Sequence, residues 1–184
     1  MNYQILVNKK NYLSKDDIPK NLISSNSKYK KNILINKKVY YAFKKMQCDA
    51  KKHGYNFDIM SGYRDYLYQE MIYNKSLKEN GYTYTIRTIA KPGTSEHQTG
   101  LAIDICFYRN GHCYIEHELE DTNELKWLVN NAYKYGFIMR YPPSKEDITG
   151  YNYEPWHYRY IGALASHLTK NNLTLEEHFQ NKNL

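Results

Sequence analysis

Cysteine and proline are scarce in this 184-residue chain, and its start carries no long hydrophobic run. The three cysteines, Cys48, Cys106 and Cys113, form an odd set without a C-x-x-C pair. That pattern fits neither a disulfide framework nor a structural zinc knuckle, and it predicts reduced, packed thiols. Near the N-terminus only Ile5-Leu6-Val7 is apolar, and Asn8-Lys9-Lys10 follows at once. Three residues cannot form a signal-peptide core or a membrane span, so the expectation for a native start is a cytoplasmic protein, and a secreted form with its leader removed would read the same. Five prolines and nine glycines exclude a collagen-like or low-complexity fibre. With no internal repeat and no Gly/Ser linker, residues 1–184 read as a single domain large enough to bury one core.

Negative charge is also under-represented: 26 Lys and Arg stand against 19 Asp and Glu, a formal charge of +7. Much of the excess falls in the first 52 residues, where a Lys-rich run reads as a solvated helix face. No zinc-knuckle, RRM or helix-turn-helix pattern accompanies it, so nucleic acid is not an expected partner.

The first third of the chain is the least informative. Between Asn36 and Gly54, Val39, Phe43, Met46 and Ala50 recur at steps of three and four, the spacing of one helix face. A short strand near Phe57 and Ile59 leads into Ser61-Gly62-Tyr63-Arg64, after which Asp65 caps a helix reaching toward Gly81. Residues 82–96 read as irregular chain lining or covering a cleft. Leu101, Ile103, Ile105 and Phe107 alternate with Ala102, Asp104 and Cys106, which predicts a strand with Asp104 on its second face. Asn110-Gly111 is a type I′ turn signal, with a hairpin partner from His112 to about Glu118. In that register Cys106 and Cys113 are offset by two and not directly paired.

Asp121 and Glu124 form a capping-box-like start to a helix burying Leu125, Leu128, Val129 and Ala132 and ending at Gly136. Strands are expected over 137–141 and over 151–160, the latter interrupted by Pro155, and helices over 161–170 and after Thr174. Helices and strands without βαβ alternation predict an α+β fold with a small antiparallel sheet flanked by helices.

His97, Asp104 and His157 are the residues with the clearest chemistry. Two imidazoles and a carboxylate suit zinc, and three protein ligands leave a fourth position open. Glu154, three residues before His157, is the candidate base, and Pro155 requires the segment between them to bend.

The stretch Ser95-Glu96-His97-Gln98-Thr99-Gly100-Leu101-Ala102-Ile103-Asp104 resembles the S-x-H-x-x-G-x-A-x-D signature of D-Ala-D-Ala peptidases. Glu154-Pro155-Trp156-His157 is similar to the E-x-W-H element that completes their zinc site, and Ser61-Gly62-Tyr63-Arg64 with Gln69 resembles their S-G-Y-R-x4-Q element. The likeness runs from about Phe57 to Leu175 and is nearest to the VanY and VanXY type of glycopeptide resistance. It implies a hedgehog/D-Ala-D-Ala peptidase-like fold with one zinc ion per chain in a central cleft. His97, Asp104 and His157 are the implied ligands, Glu154 the base, and Arg64 the group that polarises the scissile carbonyl and holds the oxyanion. Ser95 and Gln69 would hold the substrate's terminal carboxylate and amide, and Trp156 would pack under the metal and orient His157.

The implied substrates are D-Ala-D-Ala-ending peptidoglycan precursors or the free dipeptide, with loss of the vancomycin target as the consequence. L,D-carboxypeptidase and wall endopeptidase activities are the rivals within enzymes. A non-catalytic zinc-bearing module, as in hedgehog-type domains, is the rival from another class. Residues 82–93 and 109–118 are the expected gates on substrate size.

Overall fold

The computed structural model describes residues 3–109, 112–115 and 120–181. Its central strand is β4 (Ala102–Arg109). On one edge β4 pairs antiparallel with β3 (Phe57–Ser61), Ile105 opposite Ile59. The other edge pairs first with β7 (His157–Tyr160), Asp104 opposite His157, and then with β5 (His112–Tyr114), Phe107 opposite Tyr114. β6 (Phe137–Met139) adds to the far side of β7, giving a five-stranded sheet. β1 (Leu22–Ser24) and β2 (Leu34–Asn36) form a separate two-stranded ribbon.

The period-2 alternation sends Ile103, Ile105 and Phe107 into one core. There they meet Val39, Phe43, Met46 and Ala50, the buried face of α1 (Lys37–Lys52). Asn36 caps this helix by accepting from the Lys38 N–H, and Gly54 follows its end in the left-handed region. Ala102, Asp104 and Cys106 face the other way, and they too are buried. A second apolar cluster of Ile138, Ile161, Ala165, Leu168 and Leu175 seats α5 (Leu164–Lys170) and α6 (Leu175–Asn181). The whole is a single α+β domain of small antiparallel sheets and helices.

Several local expectations need correction. α2 spans Tyr66–Thr88, so most of the stretch from Tyr82 onward is helical. Gly81 at φ 79° turns the axis, and a buried Ser76–Thr85 hydroxyl contact of 2.8 Å joins the two arms of the kink. α3 (Asn123–Asn131) is capped by Thr122, whose side chain accepts from the Leu125 N–H; Asp121 has φ 65° and stands before the helix. Val129 is 40% exposed instead of buried. The half-buried Trp127 packs against the core in that turn. The aromatic segment is a strand only over His157–Tyr160, and a short α4 (Glu146–Thr149) was not foreseen. The Asn110-Gly111 turn and the far end of the β5 hairpin lie outside the described residues.

Cys106 and Cys113 are joined in a disulfide, contrary to the expectation of reduced thiols. Cys113 lies opposite Tyr108, so the two cysteines are offset by two as the turn predicts. A diagonal pair on one face still brings the Cα atoms to 5.5 Å, within bonding reach. Closing so short a loop contributes about 2.5 kcal/mol. The double variant Cys106→Ser/Cys113→Ser is expected to melt roughly 5–10 °C lower. An unchanged melting temperature, with only Cys48 titrating in the unfolded wild type, would count against the linkage's contribution.

Candidate active site and metal centre

Three elements deliver the cluster. A 3-10 turn, Glu96–Thr99, carries His97, and Gly100 at φ 68° ends it so that β4 can begin at once. β4 carries Asp104, and β7 places His157 directly across from it. His97 Nε2 lies 3.3 Å from Asp104 Oδ1, and His157 Nδ1 lies 3.3 Å from the same oxygen. These ligand atoms all fall within 4.8 Å of one another, and all three residues are buried.

The donor set passes a direct test of fit. His97 Nε2 and Asp104 Oδ1 are buried without a hydrogen-bond partner, and such orphaned atoms are costly unless a ligand takes them. His97 Nδ1 donates to the Gly62 carbonyl at 2.6 Å, which fixes the tautomer that leaves Nε2 free. Gly62 is seated against β2 because it has no side chain: a Cβ there would run into the Leu34 carbonyl and meet Ile35 Cγ2 at 2.6 Å and Ile33 Cγ2 at 2.8 Å.

Glu154 reaches the cluster through a turn. The His157 N–H donates to the Glu154 carbonyl at 3.3 Å, with Pro155 in the position where its fixed φ favours a turn. Glu154 Oε2 then lies 3.6 Å from His157 Nδ1. Trp156, between them, is half-buried. Its carbonyl accepts from the Ile105 N–H at 2.9 Å, so its backbone helps seat the turn on β4.

Electrostatics separate the groups. Burial pushes the Glu154 carboxyl up to about 7, with Asp104 adding to the rise against His157 and Arg64. Burial and then the Arg64 guanidinium lower His97 to about 4, so its ring stays neutral. Burial opposes charge on His157, yet Asp104 and Glu96 together raise it to about 9. Asp104 is held well below the carboxylate range despite burial, by the His97 and His157 imidazoles around it, of which His157 carries the positive charge at neutral pH.

The surrounding cleft offers about 40 Å³ and is lined by Arg64, Gln69, Ser95 and Glu154, with Tyr141 and Tyr151 as aromatic walls. Gln69 is buried, donates from Nε2 to the Ala90 carbonyl at 2.8 Å and leaves Oε1 without a partner. Arg64, half-buried, follows the strand-to-helix turn and has an unpaired Nε. A larger groove, about 630 Å³ between α1 and residues 133–136, contains none of these groups.

Sequence reasoning missed two parts of this site. One is the charge cluster behind it: Glu96 Oε1 accepts from Arg140 Nε at 2.8 Å and Arg159 Nη1 at 2.6 Å, while Arg140 donates two bonds to Glu176. Glu96 stays well below the carboxylate range against its burial because of those two guanidiniums. The other is the N-terminal arm. Leu13 bonds Gly93, and the Ser14 carbonyl accepts from Gln98 Nε2 at 2.6 Å, so the arm braces the loop carrying Ser95 and His97.

The comparisons agree with this geometry. A family model described as VanY, D-alanyl-D-alanine carboxypeptidase, matches residues 32–163. A D-alanyl-D-alanine carboxypeptidase of Enterococcus faecium is 39% identical over 168 residues, which cover 90% of this chain and 50% of the relative. The bifunctional D-Ala-D-Ala dipeptidase and carboxypeptidase VanXYC of Enterococcus gallinarum is 42% identical over 122 residues, 65% of this chain and 64% of the relative. The chain thus spans about half the length, or somewhat more, of the curated relatives it matches.

Among solved structures, the LD-carboxypeptidase LdcB is 42% identical with a TM-score of 0.88, covering 95% of this chain and 84% of its own. The D,D-dipeptidase VanXYg, in complex with a D-Ala-D-Ala phosphinate analog, is 34% identical with a TM-score of 0.86, covering 97% and 70%. A D,D-pentapeptidase VanY solved with Zn(II) is 32% identical with a TM-score of 0.79, covering 97% and 99%. The His–Asp–His cluster, the fold and the matched span of sequence lead to one conclusion: the chain belongs to the VanY family of D-alanyl-D-alanine carboxypeptidases.

Proposed function

We propose that this protein is a zinc-dependent D,D-carboxypeptidase that removes the terminal D-Ala from D-Ala-D-Ala-ending peptidoglycan peptides and also accepts the free dipeptide. The observation that carries the reading is the convergence of His97 Nε2, Asp104 Oδ1 and His157 Nδ1 beside a buried carboxyl, Glu154, and an unpaired guanidinium, Arg64. His97, Asp104 and His157 would hold one zinc ion, in line with the Zn(II) of a VanY neighbour. Zinc bound there would acidify water and polarise a carbonyl.

The chain's own groups do the rest. Glu154, raised to about 7, takes the proton of the attacking water and returns it to the departing amine nitrogen. Arg64 Nε donates to the oxygen that becomes negative as the carbonyl turns tetrahedral. Gln69 Oε1 accepts the substrate amide N–H, since its Nε2 is engaged with Ala90, and the Ser95 hydroxyl donates to the terminal carboxylate. Loss of the acyl-D-Ala-D-Ala end would deprive vancomycin of its target.

The likeness to LdcB supports a second reading, an L,D-carboxypeptidase acting on tetrapeptides. A mass-spectrometric assay of zinc-loaded protein against D-Ala-D-Ala, a pentapeptide and a tetrapeptide separates the two. Release of one D-Ala from the pentapeptide, abolished by chelation and restored by zinc, is the expected result. Cleavage of the tetrapeptide alone would replace the first reading by the second.

Among the described residues no helix is long and apolar enough to cross a membrane. The Cys106–Cys113 bond favours an oxidising compartment over the cytoplasm expected from the sequence. The substrate would then be wall peptide or its exported precursor.

A further inference from the structure

A neutral imidazole that offers one nitrogen's lone pair must carry its proton on the other. For His97 the Gly62 carbonyl holds that proton on Nδ1. The His157 ring is turned the other way, with Nδ1 toward Asp104 and Glu154. Its Nε2 therefore points out of the cluster and toward Glu96 Oε2, 3.7 Å away. Both atoms are buried, and neither has a hydrogen-bond partner. Glu96 Oε1 is held from behind by Arg140 and Arg159, which aims Oε2 at the ring.

We propose that Glu96 is a positioning residue for the metal centre: its Oε2 holds the His157 tautomer protonated at Nε2 and so keeps Nδ1 available as a ligand. The inference rests on the metal reading given above. A carboxylate behind a ligating imidazole fixes the ring's tautomer and orientation and raises its basicity, and its loss costs about 10–100-fold in metal affinity. The rival account makes Glu96 a counter-ion for two buried arginines and nothing more. That account needs only Oε1. Positioning needs Oε2.

Zinc affinity of the full chain, measured by competition with a chromophoric chelator, distinguishes the two. Glu96→Gln removes the charge beside His157. Glu176→Gln removes the same charge from the same arginine cluster without facing His157. The expected result is zinc affinity about 10–100-fold weaker in Glu96→Gln, an altered cobalt(II) absorption spectrum, and a change under about threefold in Glu176→Gln. Wild-type affinity in Glu96→Gln, or equal losses in both variants, overturns the proposal. Should Glu96→Gln not fold, Glu96→Asp keeps the charge but shortens the arm; unchanged affinity there overturns it equally. A wild-type chain that binds no zinc would sink the metal reading itself, so the two failures remain distinguishable.

Discussion

Glu154→Gln is expected to lower turnover of a D-Ala-D-Ala-ending peptide by about 10²–10⁴-fold, the range for removing a positioned general base. Zinc stoichiometry and melting temperature should stay near wild type. Glu154 is 9% exposed and its carboxyl sits beside the cluster, with Oε2 3.6 Å from His157 Nδ1, yet it is outside the His97–Asp104–His157 set. Glutamine has the same shape and preserves the backbone bonds at this position, from the Glu154 N–H to the Tyr141 carbonyl and from the His157 N–H to the Glu154 carbonyl. What it cannot do is take a proton and return it. Steady-state kinetics with zinc-loaded variant give the answer. Turnover within tenfold of wild type would remove Glu154 from the role of base, and a loss of bound zinc would mean that it is a ligand instead.

The likeness of Glu154-Pro155-Trp156-His157 to an E-x-W-H element singled out this carboxyl in the sequence, and its short spacing from His157 across Pro155 is local enough to place it beside the ring. The same holds for α1, whose apolar spacing matches the buried face, and for β4, whose alternation puts Asp104 opposite the core. Motif residues from three separate segments, Arg64, His97 and His157, meet in one cleft. Features that depend on long-range packing were not legible. Glu96, Arg140, Arg159 and Glu176 are charged residues whose types ordinarily lie at the surface, and only the tertiary fold shows them paired inside. Lys9 resembles any solvated lysine in sequence, but it donates to the Ile86 carbonyl at 2.6 Å and stands 4.4 Å over the Tyr151 ring. The disulfide was missed for a related reason. An odd cysteine count describes composition, whereas bonding depends on which two side chains share a sheet face.

That hidden charge cluster sets the largest expected effect on stability. Arg140→Met should destabilise the domain by about 3–5 kcal/mol, because it leaves the buried Glu176 carboxylate without a cationic partner and Glu96 with Arg159 alone. Side-chain exposure is 0% for Arg140 and Glu96 and 7% for Glu176, so water cannot take over the lost contacts. For a domain of this size that is a fall in melting temperature of roughly 6–20 °C. The double variant Arg140→Met/Glu176→Leu restores balance, with Glu96 and Arg159 left as a one-to-one pair at 2.6 Å. It should recover most of the stability, short of wild type because Asn8 Nδ2 loses its acceptor on Glu176. Additive losses in this double-mutant cycle would show that the arginine acts through packing and not through charge. Since Arg159 still holds Glu96 Oε1 in the double variant and keeps Oε2 toward His157, its zinc affinity should stay within about threefold of wild type. Stability and metal binding then vary separately, as they must if the two oxygens of Glu96 serve different ends.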